Sequence, residues 1–181
     1  MVDFATEAAR AGIPQKLLLA IVQVESSGNA RAYRYEPAFY DRYIRGKAPW
    51  TGMPWYADPP RISASYGLGQ LMYTTAYNEG YRGAPEGLYD PTVNLRLTAA
   101  HLGRLWRRHG GRWVDVAAAY NSGQPYAKAP AYTRGTYLPR VARMLGTSVS
   151  PAAALAVGIP AAVLAGGGAL ALLLLWMARR G

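Results

Sequence analysis

The stretch that decides the fold is "AIVQVESSGNARAYRYEP", at residues 20–37. An apolar stripe with helical spacing passes through Leu18, Ile21 and Val22, and the position seven residues after Leu18 is occupied by Glu25. A carboxylate therefore stands where the pattern predicts a leucine, and the turn-forming "SSGN" follows it at once. The sequence predicts a helix that ends at an acid on its own apolar face.

The segments around this stretch are predicted to be mostly helical. Three signals predict the helices: apolar residues at helical spacing, glycines suited to the position after a helix end, and prolines in the first turn. The predicted helical segments are 2–10, 14–25, 71–79, 91–109, 113–120 and 135–145. Residues 47–61 form a proline- and tryptophan-rich insert, which predicts an irregular loop. No alternating pattern is strong enough to predict a strand, although a short hairpin near 62–67 stays open.

The C-terminal part has a different composition. Residues 152–177 are an apolar stretch of 26 residues without a charge, which as a helix spans about 39 Å and exceeds the roughly 20 residues that a bilayer core needs. This predicts a single transmembrane helix at 152–177 in a membrane anchor at 148–181, behind a domain at 1–147. Its glycines are compatible with homo-oligomerisation in the lipid membrane.

The N-terminal segment "MVDFATEAARAGIPQ" contains two acids and no apolar core behind a basic start. It does not resemble a secretory signal peptide, so we expect a C-terminally anchored protein. Basic residues flank both ends of the predicted span, so charge leaves the orientation open.

The formal charge is +10, with 20 Lys and Arg against 10 Asp and Glu. The charge is spread along the chain, and no nucleic-acid-binding signature accompanies it, so we expect only non-specific attraction to DNA or other anionic polymers. Cysteine is absent, and His101 and His109 form no HExxH pattern. We therefore predict no metal and no cofactor.

Four motifs follow one another in order. They are "ESSGNARA" at 25–32, "SYGLGQLM" at 65–72, "YDPTVNLRLTAAHLGRL" at 89–105 and "AAYNSG" at 118–123. Together they resemble the successive motifs of the soluble lytic transglycosylases, a family of the lysozyme superfamily that cleaves the glycan strands of peptidoglycan. The resemblance covers residues 13–145 and implies a mainly α, lysozyme-like catalytic domain.

The resemblance implies that Glu25 is the catalytic acid. Cleavage of a β-1,4 glycosidic bond needs a carboxylic acid that keeps its proton near neutral pH, and an apolar environment favours the protonated form. The resulting carboxylate then takes the proton of the sugar's own 6-hydroxyl, which closes on the anomeric carbon to give a 1,6-anhydro end. One residue acts first as acid and then as base.

A second acid would change the reaction, because the usual glycosidase scheme uses two carboxylates. The candidates in the sequence are Glu36, Asp41 and Asp58, whereas the family pattern requires none of them. Glu36 is either a loop support, paired with Arg34 or Arg31, or a second catalytic acid. In the latter case the enzyme is a hydrolytic muramidase.

The resemblance also implies substrate-binding residues in the first two motifs. We expect Ser26 either to line the cleft or to form a local hydrogen bond within the turn. We expect Gln70 to position the substrate or the loop of the glutamate, or else to begin a helix. Gly69 stands where the family has methionine, so the apolar sugar contact is lost or moves to Met72.

The last motif and the segment after it supply three further site residues. Tyr120 matches the tyrosine whose hydroxyl orients the catalytic glutamate, or is a buried tyrosine bonded to backbone. Asn121 matches the residue that faces the N-acetyl group, and Tyr137 matches a further cleft tyrosine. In the insert, Trp50, Trp55 and Tyr56 either stack on sugars or fill space beneath a loop.

The predicted function is a membrane-anchored peptidoglycan lytic transglycosylase acting on glycan strands. The segment "RYEPAFYDRY" at 34–43 resembles phage members of the family, which favours a virion internal membrane and local wall penetration during genome entry. Otherwise we expect the bacterial cytoplasmic membrane with the domain outside. The alternatives are a muramidase and a non-catalytic structural membrane protein that binds glycan or DNA.

Overall fold

The structure is a computed structural model that describes residues 2–149. In this part of the chain no helix is long and apolar enough to cross a membrane, and the predicted transmembrane segment at 152–177 lies outside the described residues. The helices and strands are α1 (Phe4–Ala11), α2 (Gln15–Ser26), β1 (Tyr33–Tyr35), α3 (Pro37–Phe39), α4 (Pro59–Ile62), β2 (Ala64–Tyr66), β3 (Leu71–Met72), α5 (Tyr73–Asn78), α6 (Pro91–Arg108), α7 (Trp113–Ser122) and α8 (Leu138–Leu145).

Shorter helical turns complete the described chain. They are π-helical at Tyr40–Ile44 and Thr133–Tyr137, and 3₁₀-helical at Trp50–Gly52, Pro85–Tyr89 and Tyr126–Lys128. The prediction of a mainly helical domain is confirmed for the described residues.

The two N-terminal helices begin and end at residues suited to those positions. The Asp3 side chain accepts a 3.0 Å hydrogen bond from the Thr6 amide at the start of α1, and Gly12 ends it in the left-handed conformation, with φ of 69°. Pro14 precedes α2, whose buried face includes Leu18 and Ile21. The buried stripe predicted from the opening stretch therefore anchors α2 in the core.

The long helix α6 lies at the centre of the main core. Asp90 caps it by accepting hydrogen bonds from the amides of Thr92 and Val93, at 2.8 and 2.9 Å. Buried side chains from α1, α2, α6, α7 and α8 form one apolar cluster, in which Trp113 is fully buried. This cluster fixes the end of α2 relative to α7 and α8, the helices around the candidate site.

A three-stranded antiparallel sheet lies beside the helices, in the order β1-β2-β3. The hairpin left open near 62–67 is present, because Ser65 of β2 pairs with Met72 of β3. The helix predicted over 71–79 is shorter than expected, since residues 71–72 pair with β2 before α5 begins. The sequence did not predict β1, whose three residues are all exposed and show no alternation.

A second apolar cluster lies under the insert. Ile44, Ile62 and Tyr73 are buried in it, and Trp50, Trp55 and Tyr56 pack against it. The indole of Trp55 donates a 2.9 Å hydrogen bond to the Tyr73 hydroxyl. These contacts support the interpretation that the insert aromatics fill space beneath the loop. The insert itself is irregular as predicted, apart from short helical turns.

Candidate active site

Glu25 lies in the last turn of α2, one residue before the helix ends at Ser26. The chain then leaves the helix through Ser27, which has φ of 54°, and Gly28, which has φ of 79°. These two left-handed residues turn the backbone sharply. The motif "SSGN" thus ends α2 directly after the acid, as the sequence predicted.

The carboxylate of Glu25 is held by a tyrosine from a distant segment. The hydroxyl of Tyr137 donates a 2.6 Å hydrogen bond to Oε1 of Glu25, and Tyr137 itself is 3% exposed. The π-helical turn Thr133–Tyr137 leads directly into α8, which packs against α2. The packing of α8 on α2 therefore sets the position of the hydroxyl.

The surroundings of Glu25 favour its protonated form. Burial raises the pKa of Glu25 from 4.5 to about 7, against the opposing effects of the Tyr137 hydrogen bond and the charge of Arg34. Desolvation is thus the dominant cause, because low polarity disfavours the ionised carboxylate. A carboxyl group with this pKa can both donate and accept a proton near neutral pH.

The turn between β2 and β3 packs against the end of α2. The Ser26 hydroxyl lies 2.7 Å from the Leu68 carbonyl oxygen and 3.2 Å from that of Val22. The Tyr120 hydroxyl donates a 2.6 Å hydrogen bond to the Gly69 carbonyl. Two of the predicted site residues therefore fix this turn beside the glutamate.

Asn94 is a structural residue of the site that the sequence reasoning missed. It is fully buried in α6 and accepts a 2.9 Å hydrogen bond from the Gly69 amide. Its amide nitrogen donates to the carbonyls of Tyr66 and Leu88, at 2.8 and 2.9 Å. The sequence did contain a signal for Asn94, because it is a polar residue on the buried side of a predicted helix. The same signal identified Glu25.

The glycine at position 69 is explained by close packing. A Cβ there would lie 2.1 Å from Oγ1 of Thr98 and 2.9 Å from the Tyr120 hydroxyl. No side chain fits without displacing its neighbours, so a methionine cannot occupy this position in the present packing. Met72 does line the neighbouring cleft, in keeping with the expectation that an apolar contact moves there.

A cleft of about 690 Å³ lies beside this assembly. Its walls include Glu36, Met72, Tyr120 and Asn121. Glu25 itself is not among the wall residues, although burial and, after it, the charge of Glu25 raise the pKa of the Tyr120 hydroxyl.

The other predicted binding residues support the cleft without lining it. Ser26, Gln70 and Tyr137 are not among its wall residues. Gln70 has φ of 46° and donates a 3.3 Å hydrogen bond from Nε2 to the Gly67 carbonyl. The alternative that Gln70 begins a helix is wrong, because the residue lies in a hairpin turn. Asn121 accepts a 2.8 Å hydrogen bond from the Thr133 hydroxyl.

The contact expected between Tyr120 and the glutamate is made by another residue. We expected the Tyr120 hydroxyl to orient Glu25, but that hydroxyl donates to Gly69, and the hydroxyl of Tyr137 reaches the carboxylate instead. The absence of a side chain at Gly69 lets its backbone approach the Tyr120 hydroxyl closely. Tyr120 thus holds the turn between β2 and β3, and Tyr137 holds the carboxylate of Glu25.

Glu36 occupies the position of a loop support. Its Oε1 forms a 2.5 Å ion pair with Nε of Arg34. Its amide donates to the Ser63 carbonyl at 2.8 Å, and the Ser63 hydroxyl donates to the Glu36 carbonyl at 2.7 Å. These contacts join the segment after β1 to the residue just before β2, which agrees with the loop-support interpretation.

Residues 2–149 contain no cluster of three or more His, Cys, Asp or Glu side chains that could hold a metal ion.

The chain is similar to known proteins over most of its described part. The family model "Transglycosylase SLT domain" matches residues 3–136. An inactive variant of the lytic transglycosylase Slt from Pseudomonas aeruginosa has 25% identity over 66% of this chain, with a TM-score of 0.47. The 70 kDa soluble lytic transglycosylase from Escherichia coli has 23% identity over 79% of this chain, also with a TM-score of 0.47.

The chain spans a small part of those two enzymes, 16% and 18% of their respective lengths. No curated protein matched the chain at a significant level.

Proposed function

We propose that this chain, which belongs to the transglycosylase SLT domain family, is a peptidoglycan lytic transglycosylase. Its reaction is the cleavage of the MurNAc-β-1,4-GlcNAc bond with formation of 1,6-anhydro-MurNAc ends. The observation that carries this proposal is Glu25, a carboxyl group with a pKa of about 7 that is held by a 2.6 Å hydrogen bond from Tyr137.

The two steps of the reaction follow from this one group. In the first, protonated Glu25 gives its proton to the bridging oxygen, and the bond from that oxygen to C1 of the muramic acid breaks. In the second, the Glu25 carboxylate takes the proton of the 6-hydroxyl while its oxygen bonds to C1. Glu25 ends the cycle protonated, and no water is consumed.

The charges along the cleft favour this route over hydrolysis. A hydrolase of the usual kind needs a second carboxylate to activate water or act as nucleophile. Among the described residues that line the cleft, Glu36 is the one acid, and it is ion-paired with Arg34. Its carboxylate is thus engaged in supporting the loop, and the family pattern requires no second carboxylate, so the sugar's own hydroxyl is the favoured second reactant.

Product analysis tests the proposal. Purified sacculi are digested with the full chain and with Glu25→Gln, and the soluble fragments are analysed by mass spectrometry. We expect 1,6-anhydro ends from the native protein and none from Glu25→Gln. Reducing ends would identify a muramidase, and equal behaviour of the two proteins without release would leave only binding or a structural role.

We further propose that a helix at 152–177 anchors the catalytic domain in a membrane, with a phage virion internal membrane favoured. The uncharged apolar stretch of 26 residues supports the anchor, and the likeness of "RYEPAFYDRY" to phage members supports the virion. In flotation experiments with lipid vesicles, the full chain should float, and a chain that lacks residues 148–181 should not. Equal flotation of both would contradict the anchor.

A further inference from the structure

The last helix of the described chain, α8, has two faces of different character. Its buried face consists of Leu138, Val141, Ala142 and Leu145. Its exposed residues are Pro139, Arg140, Arg143 and Met144, and we call these four the outer face of α8. Met144 is 49% exposed, so the outer face combines two basic side chains with an apolar one.

The two arginines of the outer face have no side-chain partner in residues 2–149. Other exposed arginines of the domain are ion-paired, as Arg45 is with Asp41 at 2.6 Å. Arg140 and Arg143 are three positions apart, so their guanidinium groups leave the helix on one side. The outer face therefore presents two permanent and uncompensated positive charges to its surroundings.

The charge of the sequence is unevenly divided around α8. All ten Asp and Glu residues lie in residues 1–115. Residues 116–149 contain no acid but contain the four basic residues Lys128, Arg134, Arg140 and Arg143. The segment that contains α8 thus has only positive charge, which fits a partner with a negatively charged surface.

The position of α8 in the chain favours a lipid surface as that partner. The apolar stretch at 152–177, proposed above as a membrane anchor, begins seven positions after Leu145. An extended chain covers at most about 25 Å over that length. The anchor would therefore keep α8 beside the headgroup layer at a high effective concentration. Anionic headgroups attract basic side chains next to a span, and no comparable tether holds α8 near another polyanion.

Contact between the outer face and a membrane would leave the catalytic cleft accessible. Among the described residues that line the cleft, none belongs to α8. The same helix is nevertheless joined to the candidate site, because Tyr137, which directly precedes α8, donates its hydrogen bond to Glu25. A membrane contact at α8 would thus orient the domain without blocking the glycan.

We propose that the outer face of α8 lies against anionic lipid headgroups of the membrane that holds the anchor. This inference rests on the proposed anchor, and it adds which surface of the domain faces the lipid and which headgroup charge it requires. The contact fixes the orientation of the catalytic domain, with its cleft open to the glycan.

Two arginines of α6 provide a matched control. Arg96 and Arg107 are exposed as well and have no side-chain partner in the described part of the chain. The double variant Arg96→Gln with Arg107→Gln removes the same charge as Arg140→Gln with Arg143→Gln. Any difference between the two double variants reports α8 and not the general attraction of a basic protein to an anionic membrane.

Fluorescence quenching tests the contact in the full chain, which has no cysteine of its own. A dye is attached at Pro139→Cys on the outer face or, for reference, at Gly52→Cys, where a Cβ meets nothing within 4 Å. The protein is reconstituted into vesicles whose headgroups carry a quencher. The vesicles contain phosphatidylcholine alone or with phosphatidylglycerol.

We expect phosphatidylglycerol to increase quenching of the dye at position 139 much more than at position 52. Replacement of both Arg140 and Arg143 should lower the ratio of docked to undocked domain about thirtyfold, which corresponds to about 2 kcal/mol. The Arg96 and Arg107 double variant should keep the native ratio.

Three outcomes would overturn the inference. One is equal quenching at position 139 in neutral and anionic vesicles, and another is an equal loss in the two double variants. The third is a loss of DNA binding in the Arg140 and Arg143 variant without any change on vesicles, which would assign the outer face to nucleic acid.

Flotation separates this inference from the proposed function, and it does not depend on cleavage of glycan. If the full chain fails to float with phosphatidylcholine vesicles, the proposed anchor fails. Flotation with anionic vesicles that is lost only in the Arg140 and Arg143 variant would still support the outer face as a lipid contact. If the anchor fails, equal flotation of the two double variants with anionic vesicles would overturn the inference.

Discussion

The hydroxyl of Tyr137 donates a 2.6 Å hydrogen bond to Oε1 of Glu25, joining two residues that are 112 positions apart in the sequence. The contact lowers the pKa of the carboxyl group, whereas burial raises it more strongly. The two effects together leave the pKa at about 7. The position of one buried hydroxyl therefore helps to set the pKa of the proposed catalytic acid.

Removal of this hydroxyl should change the pH dependence of cleavage. In Tyr137→Phe the carboxylate loses a donor that stabilises its charged form, so the pKa of Glu25 rises by up to roughly one unit. The alkaline limb of the pH profile of kcat/KM should move upward by that amount, and its maximum should fall. A pH profile measured on soluble glycan strands checks this.

Tyr120→Phe is the control for that experiment. The Tyr120 hydroxyl donates to the Gly69 carbonyl and not to Glu25, so its loss should loosen the turn and lower kcat/KM by about tenfold without moving the alkaline limb. An equal shift of the limb in both variants would contradict the separate roles assigned to the two tyrosines.

The native enzyme should lose activity as the pH rises above about 7. Glu25 must be protonated to donate to the leaving oxygen, and its pKa is raised to about 7. Above this value kcat/KM should fall about tenfold per pH unit. A profile that stays flat up to pH 9 would show that the step limiting kcat/KM does not need this proton.

Glu25 should also destabilise the folded state at alkaline pH. Its pKa is raised on folding, so the folded state binds the proton more tightly, and stability falls as the pH rises from about 4.5 to about 7. Glu25→Gln removes this cost and should be more stable than the native protein at pH 8, by up to about 3 kcal/mol. At pH 4 the two should unfold at similar denaturant concentrations. A native protein at least as stable as the variant at pH 8 would be contrary evidence.

The turn between β2 and β3 should not tolerate a side chain at its centre. Gly69→Ala places a Cβ 2.1 Å from Oγ1 of Thr98, and relief of this overlap should cost about 1–3 kcal/mol in the free energy of unfolding. Gly52→Ala is the control, since a Cβ there meets nothing within 4 Å. Thermal unfolding should show a lower Tm for Gly69→Ala alone; equal Tm values would argue against the packing described.

Much of the helical framework was predictable from the sequence, because local signals determine where its helices end. Asp90 caps the start of α6 and Gly12 caps the end of α1, and each lies directly beside the apolar stripe of its helix. The exposed strand β1 was not predictable. Its pairing with β2 depends on residues about thirty positions away, and its own side chains show no apolar alternation.

The acid of the candidate site was predictable from the sequence, but the contacts around it were not. Glu25 was identified because it breaks an apolar stripe, and the resemblance to a family gave its role. The hydrogen bonds of Tyr120, Tyr137 and Asn94 depend on how α6, α7 and α8 pack, and no pattern within one helix specifies such contacts. The resemblance therefore pointed to residues that lie around the same turn and cleft, while packing decided which tyrosine reaches the glutamate.

The central claim is that Glu25 uses the sugar's own 6-hydroxyl in place of water, and digestion of sacculi in water enriched in heavy oxygen tests it most directly. Our account predicts products with 1,6-anhydro ends that contain no heavy oxygen, and no products from Glu25→Gln. Reducing ends that carry one heavy oxygen atom would contradict it, because they would show that water is the second reactant.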